Sequence, residues 1–148
     1  MDRFLAIAEN IRACRVRAGK SAKDVAADLG INDAWYRDVE QHDDEMISTL
    51  SIFQSMRLAS LLNVQLHELV GETAPEEKIS LVDLPALVET YVRSKGISFE
   101  EFEEQVGWEV REFLRSPLGY FSQVPLALLV DLSRRLGLNW LSLVPEED

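Results

Sequence analysis

The chain has 148 residues, of which 47% are hydrophobic, and this is enough apolar material for one good core or two small ones. Its 26 acidic residues outnumber the 15 basic ones and give a net charge of −11, so the chain as a whole repels nucleic-acid phosphates. It contains no uncharged apolar run of about 18 residues and no signal-peptide layout, so we expect a cytoplasmic protein without a membrane span.

The sequence offers no metal, cofactor or catalytic motif. Cys14 is the one cysteine, which excludes an internal disulfide, and its place on an apolar helix face predicts a buried hydrophobic residue. His42 and His67 have no cysteine or clustered carboxylates at metal-ligand spacing. There is no phosphate loop and no nucleophile with a matched base, so we expect no cofactor and no enzymatic activity.

The first predicted helix spans residues 2–18. Its apolar residues recur at helical spacing, at Phe4, Ile7, Ile11, Cys14 and Ala18. Residues 21–40 then predict two short helices joined by a tight turn. Ser21 and Asn32 are suited to cap the amino ends of these helices, and Gly30 supplies the backbone freedom that ends the first of them.

The next elements follow a polar connection at residues 42–45. Ser48 or Thr49 is expected to cap the following helix, whose apolar residues are Ile52, Phe53, Met56, Ala59 and Leu62. A short segment with Leu66, Leu69 and Val70 completes the first half. Residues 71–78 are the one obvious linker.

After the linker the pattern of the first half returns. Four landmarks recur 77 residues later, namely Gly19, Ser21, Gly30 and Tyr36 as Gly96, Ser98, Gly107 and Phe113. Residues 136–140 match residues 62–66 at a shift of 74. Because these landmarks keep one register with a slip of only three residues, they indicate an internal duplication.

Residues 15–40 resemble the helix-turn-helix of the Xre family, the phage-repressor and Cro type. The matching positions are Arg15, Gly19, Ser21, Val25, Ala26, Leu29, Gly30, Ile31, Asn32, Tyr36, Val39 and Glu40. The resemblance spans roughly the first 70 residues, with residues 58–70 as the expected later helix. With the duplication it implies an all-α protein of two tandem repressor-like five-helix helix-turn-helix domains, about ten short helices in all. Residues 1–72 would be the Xre/Cro-type domain and residues 79–148 a degenerate second one.

The resemblance also implies which residues would touch DNA. In that family the second motif helix enters the major groove and the start of the first motif helix meets the backbone. The residues at these positions and the basic residues beside them are Ser21, Ala22, Lys23, Asn32, Asp33, Ala34, Trp35, Arg37, Asp38, Arg17 and Lys20. Arg15 and Glu40 would form a structural ion pair, and Tyr36 and Val39 would be buried.

Local charge supports DNA binding at this surface, although an alternative stays open. The basic residues between Asn10 and Lys23, which no acidic residue interrupts, are Arg12, Arg15, Arg17, Lys20 and Lys23. Such a run beside a helix amino end suits phosphate, and Arg37 is suited to guanine. In the alternative reading these charges only solvate a surface, and Asp33 and Asp38 oppose phosphate. Trp35 fits a partly exposed contact or a core position, and we favour partial exposure.

The second copy departs from the family pattern. Val92 and Pro117 stand where the first copy has its ion pair, and Pro117 should shorten the second reading helix. Val110 and Leu114 are expected on an exposed face at i, i+4 spacing. Together with Tyr120 and Phe121 they would form a surface for a protein partner, among glutamates that repel phosphate.

Two functions remain in view. The leading hypothesis is a sequence-specific DNA-binding transcriptional regulator, in which the first domain reads DNA and the second serves a homodimer or partner contact. The alternative is an acidic protein-interaction module, antitoxin-, immunity- or anti-repressor-like, that has lost DNA binding. The net charge of −11 motivates the alternative.

Overall fold

The computed structural model describes residues 6–120 and 122–145, in which the chain is all-α and forms no strand. The α-helices of these residues are α1 (Ile7–Arg17), α2 (Ala22–Leu29), α3 (Asp33–Val39), α4 (Glu45–Thr49), α5 (Ile52–Leu61), α6 (Leu66–Leu69), α7 (Leu84–Lys95), α8 (Phe99–Val106), α9 (Arg111–Arg115) and α10 (Leu126–Leu136). Three short 3₁₀ helices lie at Leu81–Asp83, Pro117–Tyr120 and Trp140–Leu143. Phe4 and the predicted start of the first helix lie outside the described residues. We call residues 6–70 the first segment and residues 79–120 with 122–145 the second segment.

The helices α2 and α3 begin and end at the residues that the sequence predicts. The Ser21 hydroxyl accepts a hydrogen bond from the Asp24 amide at 3.0 Å, and the Asn32 side chain accepts one from the Trp35 amide at 2.7 Å. Each bond satisfies one of the amide groups that a helix leaves free at its amino end. Gly30 ends α2 in the left-handed region, with φ of 75°.

The predicted cap of the next helix is wrong. Ser48 and Thr49 lie inside the short helix α4, where the Thr49 hydroxyl donates to the Glu45 carbonyl. Ser51 caps α5 instead, because its hydroxyl accepts from the Gln54 amide while the Gln54 side chain accepts from the Ser51 amide. The later helix expected at residues 58–70 is also divided, into α5 and α6.

The backbone repeats in both segments. The helices α2 and α8 have eight residues each, lie 77 positions apart, and are capped by Ser21 and Ser98 through the same bond to the amide three residues on. At the shift of 74, Asn63 and Gly137 follow α5 and α10 in the left-handed region, with φ of 60° and 75°. The helical geometry therefore supports the duplication that the sequence pattern indicates.

The two segments meet through equivalent residues. Ser51 and Pro125, which are 74 positions apart, form an isolated antiparallel bridge. In this bridge the Ile52 amide donates to the Val124 carbonyl at 3.1 Å, and the Leu126 amide donates to the Leu50 carbonyl at 3.0 Å. At the shift of 74, Val124 is the equivalent of Leu50 and Leu126 is the equivalent of Ile52. Each segment therefore donates from one of these positions and accepts at the other, which gives the junction a local two-fold symmetry.

A continuous apolar core joins the segments at this junction. Helix α10 packs against α4 and α5, and the buried apolar residues of both segments belong to one cluster. Leu50, Ile52, Leu126 and Leu129 are fully buried where the segments meet. The linker is also attached to the end of the chain, since the Lys78 ammonium donates to the Leu141 and Val144 carbonyls. Burial at the junction stabilises the two segments together.

Candidate nucleic-acid interface

Arg15 and Glu40 form a two-pronged ion pair between α1 and the end of α3. Arg15 Nε lies 2.6 Å from Glu40 Oε2, and the neighbouring Arg15 nitrogen lies 3.0 Å from Oε1. The third guanidinium nitrogen donates to the Lys20 carbonyl at 3.0 Å. The two side chains are only 17% and 9% exposed, and the bond from Glu40 raises the pKa of Arg15. Arg15 is therefore fully engaged within the protein and is not free for a ligand.

Tyr36 lies beneath this ion pair with its ring 1% exposed. Its hydroxyl is buried and has no hydrogen-bond partner among the residues that the structure describes. Burial, followed by the nearby Glu40 carboxylate, raises the pKa of this hydroxyl well above its ordinary value. Tyr36 and Val39 are thus core residues, as the resemblance implies.

An open cleft of about 350 Å³ lies between α1, the amino end of α2, and α3. We call it the basic cleft, and its lining residues are Arg12, Ala22, Lys23, Asp33, Tyr36, Arg37, Glu40 and Gln41. Its walls come from three helices that the caps and the Arg15–Glu40 pair hold in place. All of its residues belong to the first segment, so the second segment does not cover it.

The free charges of the basic cleft are mainly positive. Arg12, Lys23 and Arg37 are exposed, and none of them forms an ion pair within residues 6–120 and 122–145. Glu40 is neutralised by Arg15. The remaining charges of the lining are these three cations and the Asp33 carboxylate, which together give a net charge of +2. The first-turn amides of α2 open beside these cations, and such amides favour anions. The lining of the cleft is therefore locally positive although the chain as a whole is negative.

The remaining predicted contact residues occupy different environments. Ala34 and Asp38 are exposed on α3, and Arg17 is exposed on α1, where it donates to the Cys14 sulphur at 3.3 Å. Lys20 is half-buried. Trp35 is partly buried, and its ring nitrogen donates to the Thr49 hydroxyl at 2.7 Å, which links α3 to α4. The indole N–H is thus occupied within the protein.

Sequence reasoning placed Arg12 in a basic run but did not include it among the contact residues. The structure puts it on the wall of the basic cleft, opposite Lys23 and Arg37. Arg12 lies one helical turn before Arg15, and residues three apart on a helix share a face. This spacing could have indicated that Arg12 lies on the same side of α1 as the predicted contact surface. Gln41, which follows the ion-paired Glu40, was also missed.

The second segment has a mainly apolar groove at the place equivalent to the basic cleft. This apolar groove of about 450 Å³ is lined by Pro85, Val88, Glu89, Val92, Phe99, Arg111, Leu114 and Arg115. At the shift of 77, Glu89 replaces Arg12, Phe99 replaces Ala22, and Leu114 replaces Arg37. None of the three cations of the basic cleft has a positively charged equivalent here, and the groove's own arginines, Arg111 and Arg115, are paired with Glu100 and Glu112.

Two predictions about the second segment require correction. Val110 is fully buried rather than exposed, because it immediately precedes α9 and its side chain enters the core while its amide donates to the Glu103 carboxylate. Leu114 is only 8% exposed, at the bottom of the apolar groove. Tyr120 is partly buried, and Phe121 lies outside the described residues. Pro117 has the predicted effect, since α9 has five residues and α3 has seven.

No family model, curated protein or solved structure matches the chain. In the part of the chain that the structure describes, no three His, Cys, Asp or Glu side chains are grouped so that they could hold a metal ion. Nor do the described helices include one with the length and apolar character needed to cross a membrane.

Proposed function

We propose that the protein is a cytoplasmic, sequence-specific DNA-binding regulator of the Xre, phage-repressor type, and that its first segment reads DNA. The observation that carries this proposal is the basic cleft, where Arg12, Lys23 and Arg37 surround the amino end of α2 without ion-pair partners among the described residues. A net-acidic chain gains nothing from such a cluster unless it meets an anion, because three like charges repel one another.

In this proposal a backbone phosphate lies in the basic cleft, where Lys23, Arg12 and the first amides of α2 contact it. Helix α3 then lies in the major groove, with Arg37 as the side chain suited to O6 and N7 of guanine. Asn32 contributes less than the sequence implies, because its oxygen already accepts the Trp35 amide and only its amino group remains free to donate. Asp33 and Asp38 limit nonspecific binding by repelling phosphates that are out of register.

The second segment would serve protein contact rather than DNA contact. The chain after Val70 carries −8, from seven basic and 15 acidic residues; the second segment itself has six basic and nine acidic ones, a net of −3, and its equivalent of the basic cleft is apolar. Across the local two-fold junction, the second segment packs against the first in the way that one subunit packs against its partner in a symmetric dimer. A homodimer would therefore have to form through surfaces outside this junction.

A second candidate function follows from the same charge distribution. If the basic cleft binds no nucleic acid, the protein is an interaction module of the antitoxin, immunity or anti-repressor kind. The apolar groove favours this alternative, because an apolar site on an acidic surface suits a protein rather than DNA.

The two functions are separated by selecting bound fragments from sheared genomic DNA at low salt and then measuring affinity for the recovered fragments. The regulator proposal expects Arg37→Ala and Lys23→Ala to weaken binding about tenfold or more, because each removes a base or phosphate contact. Arg134→Ala, at an exposed arginine of α10, is the matched control and should leave affinity unchanged. Absence of binding at low salt would reject the regulator and favour the interaction module.

A further inference from the structure

The two segments meet through equivalent surfaces, as two copies of one segment would in a symmetric dimer. At the shift of 74, Ile52 is the equivalent of Leu126, and both side chains are fully buried. Three residues further along the same helices, Ser55 and Leu129 are also equivalent and fully buried. Helices α5 and α10, which carry these residues, contact each other directly. The junction thus has the arrangement of an isologous interface, in which each partner presents the same patch.

The chain itself supplies both partners of this interface. Residues 71–78 connect the two segments, and the Ile79 amide then donates to the Ser142 carbonyl at 2.8 Å. Because the linker is short, each segment meets the other at an effective concentration on the order of 1 mM, which a second chain at micromolar concentration does not match. The second segment therefore occupies the place on the first segment that a second chain would take.

The second segment has none of the cations of the proposed DNA-binding surface. The basic residues of that surface are Arg12, Arg17, Lys20, Lys23 and Arg37, and their equivalents 77 residues later are Glu89, Ser94, Ile97, Glu100 and Leu114. None of the five equivalents is basic and two are acidic, so these positions provide no attraction for a DNA backbone. Arg93 and Arg111 of the second segment are paired with Glu89 and Glu100 themselves. One chain therefore carries one such surface.

We propose that one chain is the complete DNA-binding unit and that it recognises a single half-site, a short sequence without an inverted repeat. The first segment makes the DNA contacts, and the second segment closes the face through which a second chain would otherwise pair with it. Charge also disfavours a second chain on the same DNA, because each chain carries a net charge of −11 and two adjacent chains repel each other. This inference rests on the proposed DNA-binding function and names the class of DNA site that the protein reads.

The first test measures how many chains bind one site. It uses the full chain and a labelled duplex recovered by the genomic selection, and sedimentation velocity at saturating protein gives the mass of the complex. We expect one chain per duplex and a titration without cooperativity. The duplex is then shortened to about 12 base pairs around the protected bases, which is about one helical turn of DNA. The shortened duplex should keep its affinity, because every contact lies within one half-site.

The salt dependence of binding gives a second, independent count. With Lys23 and Arg12 as phosphate contacts, log K should fall with log salt at a slope of about −1.8 for one chain, against about −3.6 for two chains. Lys23→Ala should reduce the slope by about one in a complex of one chain and by about two in a complex of two chains. The matched control is Lys95→Ala, at an exposed lysine of α7 in the second segment, which should leave the slope unchanged.

Three results would overturn the inference: a complex of two chains that forms cooperatively on one site, a shortened duplex that binds at least about 100-fold more weakly than an inverted repeat of the same half-site, or a slope that Lys95→Ala reduces. In each of these results DNA still binds, so the regulator proposal survives. Absence of binding to every duplex at low salt is a different result, which rejects the regulator proposal and this inference together.

Discussion

The Arg15–Glu40 pair offers a test of how the first segment is held together. Arg15→Met should cost about 3 kcal/mol of unfolding free energy, because it leaves a carboxylate that is 9% exposed without its partner. Glu40→Met should cost less, about 2 kcal/mol, since Arg15 keeps its bond to the Lys20 carbonyl and is more exposed. The double variant should cost only about 1 kcal/mol, mainly for that lost carbonyl bond.

The assay is urea unfolding followed by far-ultraviolet circular dichroism, which reports helix content in an all-α chain. The double-mutant cycle then gives the coupling between the two side chains, and we expect at least about 2 kcal/mol. The second segment provides a natural precedent, because Val92 and Pro117 replace both partners together. Additive single costs, within about 0.5 kcal/mol, would refute the reasoning and show that the pair contributes little.

Three further predictions concern single side chains. Folding raises the pKa of the Tyr36 hydroxyl, so the unfolded chain releases this proton at a lower pH than the folded chain does. Above about pH 10 the unfolding free energy of the wild type should therefore fall with pH. The fall should be steeper than in Tyr36→Phe by about 1.4 kcal/mol per pH unit. Gly137→Ala should cost about 1 kcal/mol in urea unfolding and Gly137→Asn less, because Asn63 adopts the same left-handed backbone in the first segment. Thr49→Val removes the acceptor of the Trp35 ring nitrogen, and we expect a loss of about 1 kcal/mol and a shifted tryptophan emission; unchanged emission would contradict the contact.

Features that depend on a few neighbouring residues were predictable from the sequence. Ser21, Asn32 and Gly30 act through bonds and torsions within four positions, so their residue types alone define the ends of α2 and the start of α3. The shortened α9 is equally local, since Pro117 lacks an amide proton and restricts the residue before it. The duplication followed from these same local landmarks, repeated at a fixed spacing.

Features that depend on tertiary packing were not predictable. Val110 and Leu114 were placed on an exposed face by analogy with α3, but α9 is shorter than α3, packs against α7, and buries both side chains. Ser51 was missed as a cap because Ser48 and Thr49 are equally good capping residues in isolation. What selects Ser51 is its bridge to Pro125, 74 positions away. A single sequence cannot reveal such a partner.

The basic cleft and the apolar groove occupy equivalent places in the two segments and differ in the chemistry of their lining. Each is lined by residues of three helices, and the side chains at equivalent lining positions differ in charge and polarity. Glu89 stands at the position equivalent to Arg12 and Leu114 at the position equivalent to Arg37, so neither position carries a positive charge in the second segment. The fold thus positions both linings, and the side chains at equivalent positions give each lining its own charge and polarity.

The central claim is that three cations of the basic cleft contact DNA phosphates or bases despite a net charge of −11. The most direct measurement is the affinity for a selected DNA fragment as a function of salt concentration. With two phosphate contacts, from Lys23 and Arg12, log K should fall with log salt at a slope of about −1.8, and Lys23→Ala should reduce the slope by about one. No binding at low salt, or a slope that Lys23→Ala and Arg12→Ala leave unchanged, would contradict the claim.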